Sequence, residues 1–137
     1  MIYAHREDAE EHTAYRDWLA SVLASASAYG VSELVLSTFI RVVTNVRAFP
    51  DSTPLPVALD FAEAMRERPN AVVVAPGPRH WDIFTRLCRA AGTKGNLVAD
   101  AYLAALAIES GSEWITTNRD YARFPGLRWR HPLAGAQ

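Results

Sequence analysis

Residues 95–120 read GNLVADAYLAALAIESGSEWITTNRD, and they predict a helix of about fifteen residues, a short turn, a strand and a polar tip. The helix is apolar on nearly every side, which is typical of a buried helix. One carboxylate, Asp100, lies in its predicted first turn and heads the face formed by positions 103, 104, 107 and 111. Because burying an unpaired charge is costly, we expect Asp100 to have a partner.

Asp100 and Glu33 stand at matching places in the sequence. Glu33 opens a second apolar helix, predicted over residues 33–48 with Ser32 as its N-cap. Each acid, taken alone, also suits a helix start because a carboxylate there complements the helix dipole. Two acids in matching positions on two helices favour a functional role more than either acid does alone.

The polar tip Thr117-Asn118-Arg119-Asp120 follows the predicted strand Trp114–Thr117. In an open parallel sheet the carboxyl ends of the strands line the ligand crevice, which favours a functional tip. The same residues also suit an Asx-type turn that caps a short helix and leaves Asp120 in solvent. Both interpretations stay open at this stage.

The rest of the chain predicts alternating helices and short strands. Further helices are predicted over about residues 8–26, 56–68 and 79–91, with Asp8 as a cap and Trp81 facing inward. Met1–Ala4 is predicted to be the end of a strand. The run AVVVA at 71–75 is predicted to be a buried strand, and residues 127–129 are predicted to be an edge strand. The tail from His131 is expected to be loose. No hairpin signal occurs, so we predict an α/β fold with a small parallel sheet, in one domain over residues 1–137.

Composition narrows the class of protein. Half of the 137 residues are apolar, enough for a domain with a real core, and a net charge of -1 argues against a general nucleic-acid coat. The single cysteine, Cys88, excludes an intramolecular disulfide and a cysteine-based zinc site. The polar N-terminus is unlike a signal peptide, and no apolar run reaches the roughly 18 residues that suggest a membrane span. We therefore expect a cytoplasmic protein that has no association with a membrane.

Motifs for dinucleotide binding, P-loop hydrolysis and the serine-hydrolase elbow are missing from the sequence. Carboxylates remain as the candidate ligands, and they suit hard divalent ions such as Mg²⁺ or Mn²⁺. Magnesium held by carboxylates commonly serves the attack of water on a phosphodiester.

The segments GNLVADAYLAALAIESG and WITTNRDYARFPGLRW resemble the C-terminal half of PIN-domain ribonucleases of the VapC toxin type. IYAHRED and VSELVLSTFIRVVTNVRAF resemble the family's N-terminal half, so the likeness covers essentially the whole chain. The resemblance implies a three-layer α/β/α fold and an endoribonuclease that depends on Mg²⁺ or Mn²⁺ and inhibits translation. It also implies a cleaved loop in tRNA or rRNA, a VapB-type antitoxin as partner, and a homodimer.

The resemblance also assigns the site. Glu33, Asp100 and Asp120 fall on the family's metal-binding acids, and Asn118 falls on a further acidic position of the catalytic group. Three arginines near these acids are candidate phosphate contacts, namely Arg6, Arg41 and Arg119.

Two departures from the family pattern affect this assignment. Asn118 supplies an oxygen but no charge. The family's first catalytic Asp lies on the opening strand, in a D-x-N-x-L-x-Y-A pattern of which Tyr3-Ala4 is the end, so that strand is largely missing. We expect the natural protein to begin several residues earlier. The alternative is a degenerate toxin that binds its antitoxin without cutting RNA.

Overall fold

The computed structural model describes residues 1–134, and the chain folds as two compact units. The first unit is Met1–Val74, and the second begins at Ala75. The prediction of one domain over residues 1–137 stays a prediction. Of the tail expected to be loose, residues 131–134 contain a turn closed by the bond from Ala134 N to His131 O, and the rest lies outside the described residues.

The first unit contains four helices and a parallel pair of strands. In chain order they are α1 (Ile2–His5), α2 (His12–Ala24), β1 (Tyr29–Val31), α3 (Glu33–Val43), α4 (Leu55–Glu67) and β2 (Ala71–Val73). The side chains of Phe39, Val43 and Ala58 form a core cluster, because α3 and α4 turn their apolar faces towards each other. Helix α3 starts where Ser32 and Glu33 predict, but it ends five residues before the predicted position 48.

The N-terminal segment is a helix, so the prediction that Met1–Ala4 ends a strand is wrong. Its amide groups bond within the segment, from His5 N to Met1 O at 3.0 Å and from Arg6 N to Ile2 O at 2.9 Å. A short segment without a neighbouring strand satisfies its backbone groups locally in this way. Asp8 does not cap α2 either, because it pairs with Arg6 and the helix begins at His12.

The strand pair of the first unit corrects two further predictions. The sequence analysis places no strand between the helices predicted over 8–26 and 33–48, yet Tyr29–Val31 form β1, which pairs in parallel with β2 in the register Gly30 to Val72. Val72 and Val73 were expected to be buried and are 52% and 40% exposed. A pair of strands covers less apolar surface than the interior position that the run AVVVA predicted.

The second unit is built on a pair of helices. Its elements are α5 (His80–Ala91), α6 (Asn96–Ser110), β3 (Trp114–Ile115), a 3₁₀ helix (Arg119–Arg123) and β4 (Trp129–Arg130), with β3 parallel to β4. Gly92 ends α5 in the left-handed conformation at φ 59°, as the sequence predicts, because glycine has no Cβ to strain there.

Helix α6 approaches α5 through small side chains. The core cluster of this unit is formed by Ile83, Leu87, Ala101, Ala104, Ala105, Tyr121 and Phe124. Three of its α6 members are alanines with no solvent exposure, so the predicted burial of this helix is confirmed there. Trp81 was predicted to face inward, which is wrong, because its side chain is 65% exposed.

A side chain near the C-terminal end of α6 forms hydrogen bonds to the loop before α5. The Glu109 carboxylate accepts hydrogen bonds from the backbone amides of Gly77 at 2.7 Å and Arg79 at 2.9 Å. These bonds lower the pKa of Glu109, with the Gly77 amide as the largest cause.

The predicted α/β class with parallel strands is confirmed. The described strands form two separate two-stranded sheets, whereas one small sheet was predicted. Within residues 1–134, no helix has both the length and the apolar character that crossing a bilayer requires.

Candidate functional site

Helix α6 begins at Asn96, so Asp100 lies one turn inside the helix and the prediction that it occupies the first turn is wrong. Its side chain is partly buried, and its Oδ1 accepts a hydrogen bond from the Tyr121 hydroxyl at 3.1 Å. The expectation that Asp100 has a partner is therefore confirmed, and the partner is a neutral donor 21 residues away. Nothing in the local sequence pattern singled out Tyr121, whose aromatic ring alone predicts packing.

Tyr121 lies in the core of the second unit with 4% of its surface exposed. Its ring contacts those of Trp114 and Phe124, at centroid distances of 5.5 and 5.9 Å. Burial raises the pKa of Tyr121 strongly, and the charge of Asp100 and the bond to it raise it further, while the Trp114 indole acts in the opposite direction. The hydroxyl consequently keeps its proton and remains a donor to Asp100 at neutral pH.

The polar tip forms an Asx-type turn, which is one of the two interpretations that the sequence left open. Asn118 Oδ1 accepts a hydrogen bond from the Asp120 amide at 2.9 Å and caps the 3₁₀ helix, so this side chain has a structural use. Asp120 is exposed, with its Oδ1 3.9 Å from the Arg123 guanidinium. The predicted roles of Asn118 and Asp120 in catalysis or metal binding stay predictions.

Glu33 occupies the first turn of α3, as predicted, but it differs from Asp100 in its surroundings. The Glu33 side chain is 65% exposed and pairs with Arg66 of α4, with 3.1 Å between Oε2 and Nε. The two residues are 33 positions apart, so no helical spacing could have linked them in the sequence. The role of Glu33 as a metal ligand stays a prediction.

The three arginines proposed as phosphate contacts fall into two groups. Arg41 and Arg119 are exposed. Arg6 is only 8% exposed, and its guanidinium donates to Asp8 at 2.6 Å and to the Asp51 carbonyl. An RNA phosphate would have to compete with these acceptors for Arg6, whereas the other two side chains are accessible.

The donors available for a divalent ion are few. In the part of the chain from residue 1 to 134, no three His, Cys, Asp or Glu side chains form a group able to hold a metal ion. Mg²⁺ is normally held by one or two carboxylates together with water and substrate phosphates, so Asp100 could supply one ligand.

Comparison with known proteins relates this arrangement to a family. The model of the PIN domain family matches residues 1–127. The VapC ribonuclease Mb2897 of Mycobacterium bovis is 42% identical over 135 residues, which cover 98% of this chain and 92% of that protein. Ribonuclease VapC25 of Mycobacterium tuberculosis is 36% identical over 96% of this chain and 93% of its own length.

Two solved structures are similar in fold. VapBC-1 from nontypeable Haemophilus influenzae aligns with a TM-score of 0.65 and 20% identity, covering 96% of this chain and 91% of that one. VapBC2 from Rickettsia felis, bound to a DNA fragment from its promoter, aligns with a TM-score of 0.64 and 17% identity, covering 95% and 91%. At these identities the likeness concerns the fold, and it confirms the expected class of α/β fold.

Proposed function

This chain belongs to the PIN-domain family, and from that premise we propose that it is an endoribonuclease toxin of the VapC type, neutralised by a VapB-type antitoxin. The observation that carries the proposal is the 42% identity to a VapC ribonuclease over 98% of this chain and 92% of that protein. Identity spread over both lengths argues against a shared fragment with a different function. The α/β fold is consistent with it.

Asp100 is the residue on which the proposed reaction depends most. Its partly buried carboxylate is held on a rigid helix by the bond at Oδ1. A positioned carboxylate of this kind can accept a proton from an attacking water or oppose the charge of a neighbouring cation. Asp120 and Asn118 are proposed to assist from the polar tip, and Glu33 from the start of α3.

We propose Mg²⁺ or Mn²⁺ as the cofactor, with Asp100, Glu33 and Asp120 as its candidate ligands. Hard oxygen donors of this type support the choice of ion. Because residues 1–134 contain no group of three possible ligands, we assign no coordination geometry and no reaction step to the ion.

The proposed substrate is a loop in tRNA or rRNA, whose cleavage would inhibit translation in the cytoplasm. Unpaired bases in loops can be held by hydrogen bonds and stacking, whereas the deep groove of an RNA duplex cannot be read by side chains. Exposed Arg41 and Arg119 are the accessible candidates for phosphate contacts, together with Arg6 if its internal bonds open. A homodimer is the proposed assembly of the toxin.

A second function is a PIN-fold protein that binds antitoxin without cutting RNA. Two observations favour it, namely the amide of Asn118, engaged as a cap, and the lack of a three-ligand group in residues 1–134. It shares the fold and the partner with the first function and differs only in catalysis.

One experiment separates the two functions. The purified chain is incubated with tRNA and with rRNA-loop transcripts in Mg²⁺, in Mn²⁺ or in EDTA, beside the Asp100→Asn variant. Asp60→Asn, which changes an exposed carboxylate on α4, is the matched control.

The nuclease is supported if specific cleavage is lost in EDTA and in Asp100→Asn but kept in Asp60→Asn. Cleavage that persists in EDTA would contradict the proposed cofactor. If the chain cuts none of the RNAs but binds its co-expressed antitoxin, the second function replaces the first.

A further inference from the structure

We propose that Tyr121 is the positioning residue of the site, which fixes the Asp100 carboxylate by donating a hydrogen bond to Oδ1. This inference rests on the proposed function, because it states how the acid of that site is oriented. It gives a role to a residue that is not among the predicted catalytic and metal-binding residues.

The packing of Tyr121 accounts for its ring but not for its hydroxyl. The ring fills the core beside Trp114 and Phe124, and a phenylalanine would fill almost the same space. A buried hydroxyl requires a hydrogen-bond partner, and the partner recorded for this one is the Asp100 carboxylate at 3.1 Å. The hydroxyl donates to Asp100, a contact that the packing of the ring does not require.

The bond also selects which oxygen of Asp100 is presented to a ligand. Oδ1 accepts from Tyr121, and no hydrogen bond to Oδ2 is recorded among residues 1–134. A carboxylate with one oxygen held by a rigid donor has fewer rotamers to lose when the other oxygen binds. Tyr121 thereby prepares Oδ2 for the proposed chemistry.

Tyr121 has a second effect through the chain. It is the buried residue of the 3₁₀ helix Arg119–Arg123, whose first turn carries Asp120 and whose cap is Asn118. The hydroxyl thus connects the polar tip to α6 across 21 residues. Tyr121 therefore anchors both Asp100 and the polar tip through one side chain.

The test compares Tyr121→Phe with the unsubstituted chain. The variant keeps the ring and removes the donor. We expect kcat for RNA cleavage to fall about tenfold, the scale of one lost bond to a charged group, with KM within about twofold. A purely structural role would lower the amount of folded protein instead, which far-UV circular dichroism measures separately.

Tyr102→Phe is the matched control, because it removes a phenol from the same helix as Asp100. The Tyr102 ring packs on His80 and Phe84 in the second unit. We expect its kcat to equal that of the unsubstituted chain. An equal loss in the two variants would overturn the proposal.

A spectroscopic measurement keeps this result separate from the proposed function. In protein labelled with ¹³C at the Asp carboxyl carbons, Tyr121→Phe should shift the Asp100 signal, while Tyr102→Phe should not. An unchanged Asp100 signal overturns the positioning role, whether or not the chain cleaves RNA. A shifted signal in a chain that cuts no RNA contradicts the nuclease and supports the bond between Tyr121 and Asp100.

If Tyr121→Phe does not fold, the reciprocal measurement replaces it. Asp100→Asn should shift the ¹³Cζ signal of Tyr121 at neutral pH, because the charged acceptor of its hydroxyl has been removed. An unchanged signal would contradict the proposal.

Discussion

The starts of α3 and α6 carry the same chemical feature, an acid near the beginning of an apolar helix, and the structure treats the two acids differently. Glu33 is 65% exposed and pairs with Arg66, a cation that is itself 45% exposed. Asp100 is partly buried and accepts a bond from Tyr121, a rigid and neutral donor. An acid near the start of a helix therefore becomes a positioned group only if the neighbouring core supplies a buried partner.

The two helices also pack differently. Helix α3 contributes the large side chain of Phe39, 2% exposed, to its core. Helix α6 contributes alanines, among them Ala104 with no exposure. Truncating a large buried side chain destabilises the fold because a cavity remains. Enlarging a buried alanine destabilises it because no space is available for the added atoms.

The largest expected effect concerns the packing of α3. Phe39→Ala should lower the free energy of unfolding by about 3–5 kcal/mol, the usual cost of a core cavity of this size. Urea unfolding followed by circular dichroism measures it. The control is Leu34→Ala in the same helix, whose side chain is 50% exposed and should matter little. Equal losses in the two variants would show that α3 is not anchored at Phe39.

The next effect compares the two acids directly. Asp100→Asn should reduce RNA cleavage by about 100-fold, the scale of one positioned catalytic group. Glu33→Gln should reduce it by less than about tenfold, because its side chain lies in solvent beside Arg66. Single-turnover cleavage rates decide this, and equal losses would make Glu33 as essential as Asp100.

The third effect tests the close packing of α6. Ala104→Leu should lower the free energy of unfolding by about 1–3 kcal/mol, because the added atoms have no space. Ala99→Leu, at an exposed position of the same helix, is the control and should be close to neutral. Chemical unfolding checks both, and an unchanged midpoint for Ala104→Leu would contradict the close contact.

A fourth prediction concerns Glu109. Its partners are backbone amides, whereas the partner of Glu33 is the side chain of Arg66. The bonds from Gly77 and Arg79 lower the pKa of Glu109 below its ordinary value of 4.5. A lowered folded-state pKa means that this stabilisation is present above pH 4.5 and is lost as the pH falls through the folded-state pKa. Glu109→Gln should flatten the dependence of Tm on pH in that range, and an unchanged dependence would show that the two amide bonds do not contribute to stability.

The smallest effect concerns the partner of Glu33. Arg66→Ala should change the free energy of unfolding by less than about 1 kcal/mol, because exposed ion pairs contribute little and salt screens them. The difference from the unsubstituted chain should shrink further in high salt. A larger loss that persists in high salt would indicate that Glu33 is held as firmly as Asp100.

Several features of the fold could be predicted because they depend on neighbours in the chain. Helix α6, the end of α5 at residue 91 and the Asx turn at Asn118, which was one of two interpretations, follow from side chains within a few positions of each other. The family resemblance likewise placed the fold class correctly, and the PIN-domain match confirms it.

Other features could not be predicted, since they depend on what packs against a segment. Met1–Ala4 forms a helix and pairs with no strand among residues 1–134, and Val72 is exposed because a two-stranded sheet leaves its surface uncovered. The inward position expected of Trp81 failed for the same reason, because helical spacing indicates a face but not whether another element covers it.

For the two acids, the sequence determines their positions and the tertiary structure determines their partners. Local sequence places Asp100 and Glu33 near the starts of apolar helices, because helix periodicity and capping act over a few residues. The partners come from 21 and 33 residues away, Tyr121 for Asp100 and Arg66 for Glu33. Only the tertiary structure brings those groups within hydrogen-bond distance, and it therefore decides that one acid is held beside a core while the other lies in solvent.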